Sequence, residues 1–389
     1  MPPTLKCSKC GGKHWTMRCP LKAPDQRAKT LEEIKAALER ERTQKVYRCT
    51  IPMNKFIGKV ASCGCDDVED FWKDIRNCQD HSLYRDYAGI IHKDTNTLYL
   101  PQSENIPEGE YVLVSRTHNM STKELSSVIA TAIGELKEEL PLQPEIVKKV
   151  QEDLFLRYTH FSIHHEGNNL SWDETKMIEE CMNEYPNKED RREEAMKVVP
   201  GSKEDITEAW NHIYVSNELD SLYEKDINEH LLLQLHSWIM NDLLHQADEG
   251  LPGEYRKCSI NVSGSKHCRP PPADVPALMK KFFEVEMKQD ENENLFEYLC
   301  RIHSRFQDIH PFRDGNGRVG RLLMNLILMK HGYPVLVLPN SLSMMFNYSV
   351  SLAIDGKTST FTRLVAEAIF DTLQVYEKAL DISLLPGQD

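Results

Sequence analysis

His310-Pro311-Phe312-Arg313-Asp314-Gly315-Asn316-Gly317-Arg318-Val319-Gly320-Arg321 joins two stretches of helical periodicity, Leu295 to Ile309 and Val319 to His331. Pro311 disfavours the right-handed helical conformation at His310, so the first helix must end there and the chain must turn. Gly315 and Gly317 flank Asn316, a spacing that lets backbone N–H groups converge, and a helix begins almost at once. Unpaired N–H groups at a helix start, added to its dipole, make a cradle for an anion.

The side chains around that cradle suit phosphate chemistry. Asp314 places a hard oxygen ligand where Mg²⁺ could be shared with phosphate oxygens. Arg318 and Arg321, three apart on the first turn, can both point back at phosphates and neutralise a leaving pyrophosphate. His310 is the residue in the loop able to take a proton from an attacking hydroxyl at neutral pH.

The run resembles the Fic family signature, His-Pro-Phe-x-(Asp/Glu)-Gly-Asn-Gly-Arg-x-x-Arg, at every defined position, and the resemblance covers roughly Glu145 to Leu373. It implies a mainly α fold: an all-α core with a short β-hairpin flap. It implies transfer of AMP from ATP to a Ser, Thr or Tyr hydroxyl of a target protein. By the same resemblance His310 is the base and Asp314 the Mg²⁺ ligand. Gly315, Asn316 and Gly317 bind phosphate, Arg318 meets the β-phosphate and Arg321 the γ-phosphate. The Doc-like branch, which transfers phosphate, typically carries Lys at the place of Gly317, so the sequence sides with AMP transfer.

Two further stretches fit that family. Gly253-Glu254-Tyr255-Arg256 followed by Ile260 to His267 resembles the flap, a hairpin that pairs with an extended target segment. Ser162-Ile163-His164-His165-Glu166-Gly167-Asn168 resembles the inhibitory pattern (Ser/Thr)-x-x-x-Glu-(Gly/Asn), N-terminal to the core as in metazoan Fic enzymes. A glutamate aimed at Arg321 would occupy the guanidinium that the γ-phosphate needs. Relatives also use it in removing AMP from the modified target. The base pocket departs from the pattern, with Phe346-Asn347-Tyr348 for paired tyrosines and Ile354 at the place of an expected asparagine. UTP or a phosphocholine nucleotide therefore stands as an alternative donor.

The rest of the chain is modular. Residues 1–24 carry Cys7-x2-Cys10-x3-His14-x4-Cys19, three thiolates and an imidazole suited to a tetrahedral structural Zn²⁺. The stretch resembles the N-terminal region of the g subunit of eukaryotic translation initiation factor three. Lys6, Lys9, Lys13, Arg18 and Lys22 around Trp15 suit a contact with single-stranded RNA or with the translation apparatus. An RNA- or translation-factor-binding protein with a regulatory nucleotide-binding Fic core is the competing reading. Cys63, Cys65, Cys78 and His81 could hold a second metal, but they match no familiar metal spacing and the cysteines read by default as buried free thiols.

Residues 25–45 read as a linker helix, with Leu31, Ile34 and Leu38 on one face. Residues 46–120 read as a small α+β module, from the β-prone runs VYRCTIPM, YAGIIH, TLYL and EYVLVS. Residues 121–204 form a helical region that includes the inhibitory stretch, and 205–385 the Fic core. Helices are expected over Leu125 to Leu140, Glu145 to His164, Glu218 to His245 and Pro276 to Val285, and the charged run from Asn183 to Asp205 reads as an exposed connector.

A net charge of −13 over 389 residues gives no global attraction for nucleic acid or anionic membrane. No stretch is apolar for the roughly 18 residues that a membrane helix needs. Eleven cysteines, three of them in the knuckle, suit a reducing compartment, so a cytoplasmic or nuclear location is expected, with assembly as a homodimer left open.

Overall fold

The computed structural model describes residues 46–53, 56–64, 87–92, 98–99, 109–115, 117 and 120–385, save 185–187, 244–249 and 263–265. The expected zinc ligands Cys7, Cys10, His14 and Cys19 and the linker helix expected over 25–45 lie outside the described residues.

Five strands form one mixed sheet in the order β2-β1-β5-β3-β4. They are β1 (Val46–Met53), β2 (Phe56–Gly64), β3 (Tyr87–His92), β4 (Leu98–Tyr99) and β5 (Gly109–Ser115). β1 runs parallel to β5, with Tyr47 opposite Gly109, and β3 runs antiparallel to β4, with Ile90 opposite Tyr99. β5 carries the continuous run Tyr111-Val112-Leu113-Val114, aromatic and branched residues that suit a pleated surface. The strand Phe56–Gly64 was not among those expected from sequence.

The helical part forms a second unit. Helix α1 (Thr122–Glu139) opens on a reciprocal cap: Ser121 Oγ accepts from Glu124 N–H at 3.2 Å, and Glu124 accepts from Ser121 N–H at 2.7 Å. Its Leu125, Ile129, Ala132 and Leu136 repeat at intervals of three and four and are buried. Helix α2 (Pro144–His164) begins with Pro144, whose missing N–H costs nothing at a helix start. Helices α3 (Trp172–Glu184), α4 (Lys188–Val198), α5 (Lys203–Leu222) and α6 (Glu229–Ile239) follow. After them come α7 (Val275–Lys281), α8 (Leu295–Ile309), α9 (Asn316–Lys330), α10 (Ser343–Ile354) and α11 (Ser359–Leu380).

Helix α9 is the axis of this unit. From Arg318 to Leu328 every residue is buried, as expected of a helix enclosed on all sides. It packs against α8, α6, α2 and α5. Its first two turns carry Arg318 and Arg321, both buried, so the loop quoted above ends inside the protein rather than on its surface.

Three expectations change. The stretch Glu218 to His245 is not one helix: α5 ends at Leu222, and Asn228 starts α6 by accepting the Leu231 N–H at 3.0 Å. The charged run after Asn183 contains α4, whose Ala195 and the following Val199 are buried with Ile163, Ile178 and Ile206. Its Glu, Arg, Lys, Met and Ala residues are good helix formers, and a face two residues wide suffices against α3 and α5. No strand is present among the described residues of 250–271, where a hairpin was expected. Lys266 and His267 are instead tied to α10 through Asp355 and Ser351.

Candidate active site

His310 ends α8 in the left-handed conformation, at φ 51°, with its N–H bonded to Phe306 O at 2.9 Å. The chain turns at the residue where Pro311 forbids a continuing helix. Arg256 holds that turn. Its guanidinium, in a residue 2% exposed, donates to the carbonyls of His310 at 2.8 Å, Cys258 at 3.0 Å and Pro270 at 2.6 Å. Its own N–H donates to Pro311 O at 2.9 Å. The cation thus lies against carbonyls at a helix C-terminus, where the dipole favours positive charge.

The loop closes on itself through Asn316. Its side chain accepts the Phe312 N–H and donates to the Phe312 carbonyl, both at 2.9 Å. Phe312 is fully buried and stacks on His236, with ring centroids 3.7 Å apart and planes 7° from parallel. His236 accepts the Gly253 N–H at Nδ1 over 2.9 Å and donates from Nε2 to the Asp314 carbonyl at 3.1 Å. That pattern requires a neutral ring, and burial lowers the His236 pKa to about 4. Gly315 takes φ 76°, and a Cβ there would meet Met240 Sδ at 2.7 Å.

Above the loop lies a cleft of about 300 Å³. His310, Asp314, Asn316, Gly317 and Arg321 line it, with Glu166 and His165 from the turn after α2, and Phe346, Asn347, Ser351 and Ile354 from α10. Burial, with the nearby Arg269 cation, lowers the His310 pKa to about 4, so its imidazole is neutral at pH 7. Asp314 accepts the Gly315 N–H at 2.6 Å and keeps its side chain 57% exposed.

Both arginines are already engaged by carboxylates. Arg321, 5% exposed, donates from Nε to Ser162 Oγ at 2.9 Å and from one terminal nitrogen to Ser162 O and Glu166 Oε1, each at 2.7 Å. Burial pushes the Glu166 carboxyl up, and the Arg321 and Arg318 cations bring it below the usual range. Arg318, 4% exposed, pairs with Glu208 of α5 at 2.5 Å and with Asp314 at 3.3 Å. Glu208 receives in turn the Asn168 amide at 2.8 Å.

Of the residues singled out from sequence in this loop and turn, the structure brings His310, Asp314, Asn316, Gly317, Arg321 and Glu166 to one cleft. Gly315 sits beneath it against Met240, and Arg318 lies behind the loop and does not line the cleft. Arg256 was read only as part of the flap and Ser162 only as the first residue of the inhibitory pattern, while Glu208 and His236 had no assigned part. Glu208 left a faint trace in sequence: it is the one carboxylate in the run Ile206 to Val215. Of the altered base pocket, Phe346, Asn347 and Ile354 line the cleft, whereas Tyr348 is 42% exposed and does not. Among the described residues no group of three or more His, Cys, Asp and Glu side chains could hold a metal by itself, and no helix is long and apolar enough to cross a membrane.

Comparison with known proteins places these observations. Residues 226–328 match the Fic/DOC family. The protein adenylyltransferase Fic of Drosophila grimshawi is 27% identical over 232 residues, 59% of this chain and 44% of that protein. Its counterpart in Drosophila persimilis is 28% identical over 233 residues, 59% of this chain and 42% of that protein. The chain thus spans less than half the length of these curated relatives. A Fic domain containing signaling protein from Bacteroides thetaiotaomicron superposes with a TM-score of 0.54 at 21% identity, over 69% of this chain and 99% of the other. Residues 134–508 of Fic-1 from C. elegans give 0.51 at 21% identity, over 67% and 75%. The turn from α8 to α9 falls within the stretch that matches the Fic/DOC family.

Proposed function

We propose that this chain transfers AMP from ATP to a hydroxyl side chain of a target protein, and that Glu166 restrains it. One observation carries the reading: a neutral His310, the helix start of α9 and the buried Arg321 face one cleft, and Glu166 is paired with Arg321 inside it. The likeness to the Drosophila adenylyltransferases supports the same chemistry.

In this reading the target hydroxyl oxygen attacks the α-phosphorus of ATP while His310 accepts its proton. The bond from that phosphorus to the bridging oxygen breaks in line, and pyrophosphate leaves. Arg321 binds the γ-phosphate once Glu166 has moved away, and the N-terminus of α9 with Gly315, Asn316 and Gly317 receives the phosphates between. Mg²⁺ fits the site: Asp314 is a half-exposed carboxylate at its edge, and this ion is commonly held by one or two carboxylates plus substrate phosphates. It would supply charge neutralisation on the leaving pyrophosphate.

The Glu166→Gly chain should transfer label from ATP to protein at least tenfold faster than the unaltered chain, and His310→Ala in that background should abolish transfer. No labelled protein from Glu166→Gly in a cell lysate would overturn the proposal. Phe346, Asn347 and Ile354 on the cleft wall favour testing other nucleotide donors beside ATP. Glu166 would also serve in removing AMP from a modified target, which a Glu166→Gly variant should no longer do. For the N-terminal segment the proposal is one Zn²⁺ on Cys7, Cys10, His14 and Cys19, with RNA or a translation factor as partner. Metal analysis of the full chain should then give one zinc, lost on Cys7→Ser.

A further inference from the structure

Arg318 is one guanidinium between two carboxylates. Glu208 lies 2.5 Å from it and Asp314 3.3 Å. Glu208 and Arg318 are buried, whereas the Asp314 side chain is 57% exposed at the edge of the cleft. The second oxygen of Glu208 is fixed by the Asn168 amide, and Asn168 is itself buried and bonded to Asp205 O at 3.0 Å and to Leu170 N–H at 3.0 Å. Glu208 therefore stands on a buried support, whereas Asp314 is held through Oδ1 alone, by the Gly315 N–H at 2.6 Å and by Arg318, with its side chain half in water.

We propose that Glu208 is a positioning residue that takes the larger share of the Arg318 guanidinium and so leaves the Asp314 carboxylate free to face a divalent cation. A buried ion pair at hydrogen-bond distance is far stronger than a longer contact to a group half in water. While Glu208 is charged, the cation of Arg318 is answered from behind the loop. Without that charge it falls on Asp314, four residues earlier on the same turn, and repels a metal ion there. The proposal rests on the reading of the cleft as a nucleotide site with Asp314 toward Mg²⁺. It adds the reason why Arg318 is buried behind the loop and not exposed in the cleft.

The test is ATP binding to the full Glu166→Gly chain by calorimetry, with Mg²⁺ and with chelator. Glu208→Gln keeps the shape of the side chain and removes its charge. The expected result is a fall of roughly fivefold in ATP affinity with Mg²⁺, and an unchanged or higher affinity with chelator, because the freed cation attracts the bare nucleotide. Loss of a merely structural support would weaken binding in both conditions. The double variant Glu208→Gln/Arg318→Gln removes both charges of the buried pair, a change that proteins commonly tolerate, and keeps the question open to measurement should the single variant not fold. In it the Arg318 cation no longer draws on Asp314, so the advantage given by Mg²⁺ should exceed that of the Glu166→Gly parent.

A ratio of affinities with and without Mg²⁺ that stays within about twofold of the parent in both variants would overturn the proposal, as would a parallel loss in both conditions. If the parent binds ATP with a Mg²⁺ dependence yet labels no protein, the transfer reaction falls and the comparison at Glu208 still stands. If the parent labels protein and Glu208→Gln leaves the Mg²⁺ ratio alone, the assignment of Glu208 falls by itself. A parent whose ATP affinity ignores Mg²⁺ overturns it as well.

Discussion

The Glu166 carboxylate occupies the space where Gly317 lacks a side chain: its Oε1 is 2.7 Å from the Arg321 guanidinium, and a Cβ on Gly317 would run into it. Gly317 lies in the first turn of α9 with ordinary helical torsions, so alanine there meets no backbone strain. Its cost is the collision. Gly317→Ala should therefore lower unfolding free energy by about 1–3 kcal/mol, the usual range for overpacking. In the Glu166→Gly background the nearest atom left to the added methyl is an Arg321 nitrogen at 3.1 Å, and the penalty should shrink by at least half. Urea titrations of the four chains give the coupling, and equal penalties in both backgrounds would show that the carboxylate does not rest on Gly317.

Ser162 shares the hold on Arg321, and its hydroxyl can be removed without touching Glu166. Ser162→Ala deletes the bond from Arg321 Nε to Ser162 Oγ at 2.9 Å but keeps the backbone carbonyl contact at 2.7 Å. One hydrogen bond to a charged group contributes about 1.5–3 kcal/mol, of which only a part is released here because the Ser162 carbonyl and Glu166 keep their hold on Arg321. Arg321 should swing to a γ-phosphate more readily, so ATP affinity should rise by a factor of about three to ten, less than in Glu166→Gly. Calorimetry on the full chain reads this, and an ATP affinity no higher than that of the unaltered chain would contradict it.

The loop and its turn were legible in sequence because they depend on local rules. Pro311 stops a helix, glycines permit close approach and an apolar period of three and four restarts one. The residues that brace the loop were not legible, since each acts across a long stretch of chain. Glu208 reaches Arg318 110 positions away, and Arg256 reaches His310 54 away. Buried Arg256 carried no sequence mark distinguishing it from an exposed arginine of the flap. Helix α4 was misread for a related reason: a run of charges looks solvated, yet Ala195 and Val199 are enough to seat it against the smaller core. The break between α5 and α6 was marked by Asn228, a good helix starter inside an apparently continuous period.

His310 sets the acid limb of the proposed reaction. Burial and the Arg269 cation hold its pKa at about 4, well below the ordinary 6.5. The neutral imidazole is the form that accepts a proton, so activity is present above that value and lost as pH falls through it. Glu166 stabilises the charged ring, and its removal pushes the pKa no higher. In Glu166→Gly the acid limb of kcat/KM should therefore lie nearer 4 than 6.5, with little loss between pH 7 and pH 5.5. A limb at 6.5 would mean an exposed imidazole and a loop held differently from that described.

Arg256 is the brace whose loss should be felt most widely. Its planar fork reaches three carbonyls in different directions, those of His310, Cys258 and Pro270. A lysine brings the same charge on one nitrogen, which cannot serve all three. Arg256→Lys should leave at least one buried carbonyl unpaired and lower unfolding free energy by about 2–4 kcal/mol. The chemistry should suffer as well. His310 holds its left-handed backbone because the chain beyond it is fastened to Arg256, and a small misplacement of a base is costly. In the Glu166→Gly background, kcat should fall at least tenfold while ATP affinity stays within about threefold, since Arg321 and α9 are untouched. Denaturant titration and steady-state label transfer measure the two halves. A stability change below about 1 kcal/mol would show that the clasp does not hold the turn, and equal losses in kcat and ATP affinity would place its effect on the whole cleft instead of on His310.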